Sequence, residues 1–193
     1  MVTAEVLEKP LPKPKKDLVG YASARVLEAL AEALLAVEFL EKGYTRNAAG
    51  KAFQAWRALT ASILALEKNK ILDMLKRAEE RSWLAEKGLT RIPSTRLKYL
   101  GQLIEGIGYE NYAPYTNTAL DLHDYQYHGP DPEAELSKYT RREEAVYDII
   151  YLLNRLAKIV REKLRPALRG KDAWTDTHEE ILKKLEERLA RQP

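Results

Sequence analysis

Residues 18–68 read LVGYASARVLEALAEALLAVEFLEKGYTRNAAGKAFQAWRALTASILALEK, and their spacing decides the fold. Ala22, Val26, Leu30, Ala33, Val37 and Leu40 recur every three or four residues, the period of one helix face. Gly43 supplies a C-terminal stop, and Thr45 is placed to cap a second helix running from Arg46 to about Lys68. That helix carries Ala49, Phe53, Trp56, Thr60 and Ile63 along one side. So short a link between two long helices makes them antiparallel neighbours.

Toward the N-terminus, Pro10, Pro12 and Pro14 alternate with Lys9, Lys13, Lys15 and Lys16, which blocks helix and predicts a flexible Pro/Lys-rich arm over residues 1–17. Toward the C-terminus a third helix is expected from Asn69 to Gly88, then a break at Pro93 and a further helical rhythm at Leu97, Leu100, Leu103 and Ile104. A tyrosine-rich stretch follows, with a helix expected over Thr116 to Tyr127 and a loop at Gly129 to Pro132. Thr140 with Glu143 reads as a capping box opening a helix to about Arg165, stopped by Pro166 and Gly170. Thr177 with Glu180 reads as a second box ahead of Ile181, Leu182, Leu185 and Leu189. The expectation is all-α: an up-and-down bundle of long antiparallel helices over 18–171. A C-terminal amphipathic helix, within 172–193, packs on the bundle or on a second subunit.

Composition narrows the function classes. Of 193 residues, 45% are hydrophobic and 32% charged, with no apolar run near the ~20 residues that span a bilayer, so a soluble protein without a membrane partner is expected. Cysteine is absent, which removes disulfides, thiolate zinc sites and cysteine nucleophiles. No charged-then-apolar leader follows Met1, and a cytoplasmic location is expected. The 32 basic residues against 29 acidic ones leave a near-neutral chain, so any nucleic-acid surface must be local.

Three constellations bear chemistry. His123 lies among Asn117, Thr118, Asp124, Tyr125 and Tyr127, within a turn or two of one helix, where an imidazole can act as general base. The structural alternative is a His hydrogen-bonded between helices, with Asn117, Asp124 and Tyr125 satisfying both nitrogens. Next, Arg155, Lys158, Arg165 and Arg169 fall near one helix face that offers phosphate contacts, with a solvated face as the alternative. Last, His123, Asp124, His128 and Asp131 invite a metal, but the two histidines stand five apart rather than four, so no metal site is assigned. Neither a phosphate-binding glycine loop nor a Gly-x-Ser-x-Gly elbow is present, and no cofactor is expected.

The runs AAGKAFQAWRAL at 48–59 and ALDLHDYQYHG at 119–129, with FLEKG at 39–43 ahead of them, resemble the archaeal PaREP1 family, itself similar to the HEPN helical-bundle superfamily. The resemblance spans about 18–165 and implies a bundle, often a dimer, from a thermophilic archaeon. Few Asn and Gln and no Cys agree with that setting. Many HEPN proteins carry an Arg four to six residues before a His and cleave RNA at a dimer interface. Here His123 matches the His, but the position five earlier is Thr118, without a guanidinium to hold the phosphorane. The resemblance therefore implies a non-catalytic module that self-associates as a dimer or larger homo-oligomer. Its expected ligands are a nucleotide, an RNA or a nucleotidyltransferase-like partner, contacted through Arg155, Lys158, Arg165, Arg169, His123 and Tyr127. The alternative is a metal-independent ribonuclease using His123 with Asn117 and Tyr125, provided that Arg96, Arg141 or Arg142 folds in beside it.

Overall fold

The hairpin expected over 18–68 is the centre of the molecule. The computed structural model describes residues 2–89 and 92–192. Helix α2 (Leu18–Glu41) runs antiparallel to α3 (Thr45–Leu66), after a short α1 (Val2–Leu7). Then come α4 (Lys68–Met74), α5 (Ala78–Trp83), α6 (Ser94–Gly106), α7 (Tyr112–His128), α8 (Arg142–Ile159), α9 (Arg165–Arg169) and α10 (Asp176–Leu189). Among the described residues there is no strand, and the chain is all-α with antiparallel helix packing.

Small residues hold the hairpin together. Ala29, Ala33 and Ala36 of α2 and Ala48, Ala52 and Ala55 of α3 are wholly buried, so the two backbones approach closely and pair more extensively than any others. Asp17 caps α2 by accepting from the Gly20 N–H at 2.7 Å. Gly43 turns the chain at φ 82°, a left-handed geometry that suits a residue without Cβ. Thr45 is not the cap expected of it: it is the first residue of α3, and its hydroxyl accepts from Arg142 Nε at 2.7 Å. Around this hairpin α7 lies on α3, α6 on α7, α8 across α3 and α7, and α10 on α2 and α8.

Several boundaries differ from expectation, each for a local reason. Val2–Leu7, ahead of the first proline, form a helix against α2, while the prolines keep 10–14 non-helical. The helix expected over 69–88 breaks at Leu75, which turns extended (ψ 118°), so that Leu75 and Leu84 both reach the core. Helix α7 starts at Tyr112, four residues early, because Pro114 in a first turn gives up an N–H that has no partner in any helix. Glu144, not Glu143, accepts from the N–H groups of Thr140 (2.8 Å) and Arg141 (3.2 Å). The second box is Thr175 with His178, not Thr177 with Glu180. Pro166 does not end the helix: a wider π turn at Val160–Leu164 absorbs its missing N–H, and helix continues to Arg169. Val26 and Ile181 are buried within the chain, where α10 meets α2 and α8.

Close helix contact gives one test. A Cβ on Gly101 of α6 would stand 2.7 Å from the Thr116 hydroxyl and 3.0 Å from its Cβ, both held in the core. Gly101→Ala is expected to cost roughly 1–3 kcal/mol. By contrast, Gly50→Ala meets only the end of the Gln126 side chain, which can swing away. Urea unfolding should rank the two in that order, and equal stabilities would contradict the packing described.

Candidate functional site

The site forms where α3 crosses α7, and it is built from the residues 48–59 and 119–129. Trp56 is fully buried, stacks on Tyr112 at 4.6 Å and donates its indole N–H to the Thr116 hydroxyl at 3.0 Å. Thr60 and Tyr112 hydroxyls share a hydrogen bond at 2.9 Å. This satisfied polar seam fixes the register of α7 on α3. One turn along, the His123 imidazole lies flat on the Phe53 ring, centroids 4.0 Å apart and planes 17° from parallel, with Tyr127 edge-on at 5.3 Å.

His123 is not satisfied as expected: its Nδ1 is buried without a hydrogen-bond partner, so Asn117, Asp124 and Tyr125 do not serve both nitrogens. Asn117 and Asp124 are exposed, and Tyr125 is buried edge-on to Tyr139 at 5.4 Å. Burial lowers the His123 pKa, Asp124 opposes that, and the charge of Arg57 reinforces it, so the ring is neutral at pH 7. The Thr118 hydroxyl is spent on the Pro114 carbonyl. The cations offered in its place are engaged elsewhere. Arg96 stacks over Trp83 at 4.2 Å, Arg141 pairs with Glu144, and Arg142 donates to Thr45 and the Gly43 carbonyl. The cation that does weigh on His123 is Arg57, which also covers the Phe53 ring at 5.9 Å. Its signal in the sequence was its place one turn beyond Phe53 on α3.

Beside the crossing is an open groove of about 580 Å³ lined by Arg46, Asn47, Gly50, Lys51, Gln54 and Gln126. Arg46 reaches the last carbonyls of α7, donating to Gln126 at 3.0 Å and to Tyr127, where a cation suits the helix dipole. Lys51 pairs with the nearly buried Glu32 at 2.9 Å. The groove's two cations are therefore partly neutralised by the protein itself.

The basic stripe is divided. Arg165 (3.1 Å) and Arg169 (3.0 Å) both pair with Glu179 of α10, which also accepts from the Trp174 indole. Those charges lower the pKa of Glu179, after the Trp174 bond. Arg155 bends away, donating to the Glu110 carbonyl and covering Tyr115 at 5.4 Å, with its Nε buried and unpaired. Lys158 is exposed beside it. Arg155 and Lys158 border a cavity of about 160 Å³ that Arg165 and Arg169 do not line. Above them, Tyr115 stacks on Tyr151 (4.7 Å) and Tyr151 faces Tyr147 (6.1 Å, 12°). His128 and Asp131 do not join His123 in a metal site. The Asp131 carboxylate accepts from the N–H groups of Glu133, Leu136 and Ser137, and among the described residues no three His, Asp or Glu are grouped to hold an ion.

No described helix is long and apolar enough to cross a membrane. The model of the archaeal PaREP1/PaREP8 family matches residues 24–150, from the first turns of α2 into α8. No curated protein and no solved structure matches the chain.

Proposed function

Because the chain belongs to the archaeal PaREP1/PaREP8 family, we propose that it is a non-catalytic, HEPN-like helical module that associates with itself and binds a nucleotide, an RNA or a partner protein. The observation that carries this reading is the packing of His123. A general base must offer a lone pair to the substrate hydroxyl, with charged donors nearby for the transition state. Here one face of the imidazole is covered by Phe53 and one nitrogen is sealed in without a partner. Position 118 supplies a hydroxyl, a weak neutral donor, where a guanidinium fork is needed. Self-association rests on the likeness to HEPN bundles, since the apolar faces of α2 and α10 are spent within the chain.

One observation favours the alternative, a metal-independent ribonuclease using His123: Arg57 provides a cation at the same crossing. Incubating single-stranded RNA with the protein in EDTA decides between them. Intact RNA is expected with the wild type and with His123→Ala. Cleavage that disappears in both His123→Ala and Arg57→Ala, with helical circular dichroism unchanged, would establish the nuclease instead.

A further inference from the structure

Tyr147, Tyr151, Arg155 and Lys158 succeed one another turn by turn along the outer side of α8. Tyr147 is 68% exposed and Tyr151 47%, so neither ring is held inside the fold. With Tyr115 they make a run of near-parallel rings, 4.7 Å and then 6.1 Å between centroids. The run ends at the small cavity where Arg155, Lys158 and Lys163 meet Glu110 and Glu162. Glu162 is near Arg161 at 3.7 Å, and Lys158 is exposed. Cations thus outnumber acids at one end of an open aromatic stack.

We propose that this face binds a single-stranded nucleic acid, with bases stacked on Tyr147 and Tyr151 and backbone phosphates held at Arg155, Lys158 and Lys163. The inference rests on reading the chain as a binding module. Every base has a π-face, and stacking on exposed aromatics beside a cationic track is how strands are held without sequence readout. A second copy of this chain fits the face less well, because a two-fold seam here would bring the same three cations against their own kind.

The test is fluorescence anisotropy with a 5′-labelled oligouridylate of about 12 nucleotides, in EDTA, over a salt series. Tyr147→Ala with Tyr151→Ala is expected to weaken binding by roughly tenfold per ring, while the corresponding Phe pair retains it. Lys158→Gln with Lys163→Gln should flatten the salt dependence, since fewer counterions are released. An abasic strand of the same length should bind no better than the Ala variant shows. Equal affinity for the wild type and the Ala pair, or for the abasic and normal strands, overturns the proposal. So does a dimer that the Ala pair splits into monomers with affinity unchanged. Were the wild type to cut the oligouridylate, the module reading would fail, and a 2′-deoxy strand would still judge the stacking face by the same comparisons.

Discussion

Trp56→Ala is expected to cost about 3–5 kcal/mol, a large share of the ~5–15 kcal/mol that stabilises an ordinary domain. The indole is wholly buried, stacked on Tyr112 and hydrogen-bonded to Thr116. Its removal opens a void between α3 and α7 and strips the Thr116 hydroxyl of one partner, although that hydroxyl keeps its bond to the Tyr112 carbonyl at 2.8 Å. Trp56→Phe preserves most of the packing and loses the hydrogen bond, an expected cost of about 1–3 kcal/mol. Urea unfolding followed by circular dichroism should show the midpoint falling in that order with the slope kept. A Trp56→Ala protein as stable as the wild type would mean that α7 does not sit on α3 as described.

The second large effect is at His178, a residue that sequence reading left out of account. Its imidazole is buried at the start of α10, and Nδ1 accepts from the Thr175 N–H at 3.1 Å. Nε2 donates to the Ser23 carbonyl of α2 at 3.0 Å. Only the neutral ring with its proton on Nε2 makes both bonds, because a proton on Nδ1 would point at another N–H. His178→Ala is therefore expected to cost about 2–4 kcal/mol, from the lost packing and the stranded Ser23 and Thr175 groups.

The same geometry sets a pH dependence. Burial lowers the His178 pKa, with the Ser23 bond a smaller opposing influence. The folded state consequently binds fewer protons than the unfolded one as pH drops past the ordinary histidine value of about 6.5, so this stability is complete above that pH and is lost on acidification. His123, lowered for the same first reason, adds in the same direction. The carboxylates of Asp131 and Glu144 are lowered by backbone hydrogen bonds, and their contribution fades only below the carboxylate range, about pH 4. Melting temperatures between about pH 5 and 7 should fall less steeply in His178→Gln than in the wild type. Parallel slopes would show that the imidazole does not titrate against α2.

The helices and their order were legible because they depend on local spacing. The recurrence Ala22 to Leu40 and the side Ala49 to Ile63 each describe contacts available within a turn or two of one chain, and both faces are buried as their period requires, Leu40 only partly. Boundaries were less legible where a single residue competes with the pattern. Leu75 leaves its helix to reach the core, and Pro166 is absorbed by a π turn. The stretches 48–59 and 119–129 both lie within the family match, and the structure adds that the helices carrying them pack on each other.

What the sequence determined by itself is an all-α chain of known family with a central α2–α3 hairpin. Tertiary structure alone decided which charges and rings meet. Arg57 covers the Phe53 ring on which His123 lies, Glu179 occupies Arg165 and Arg169, and His178 locks to Ser23 across 155 positions. The physical reason is that apolar burial is non-directional and says only that a face is covered. Hydrogen bonds and ion pairs need a partner at a given distance and angle, and that partner is chosen by how the helices cross, a property no local window contains.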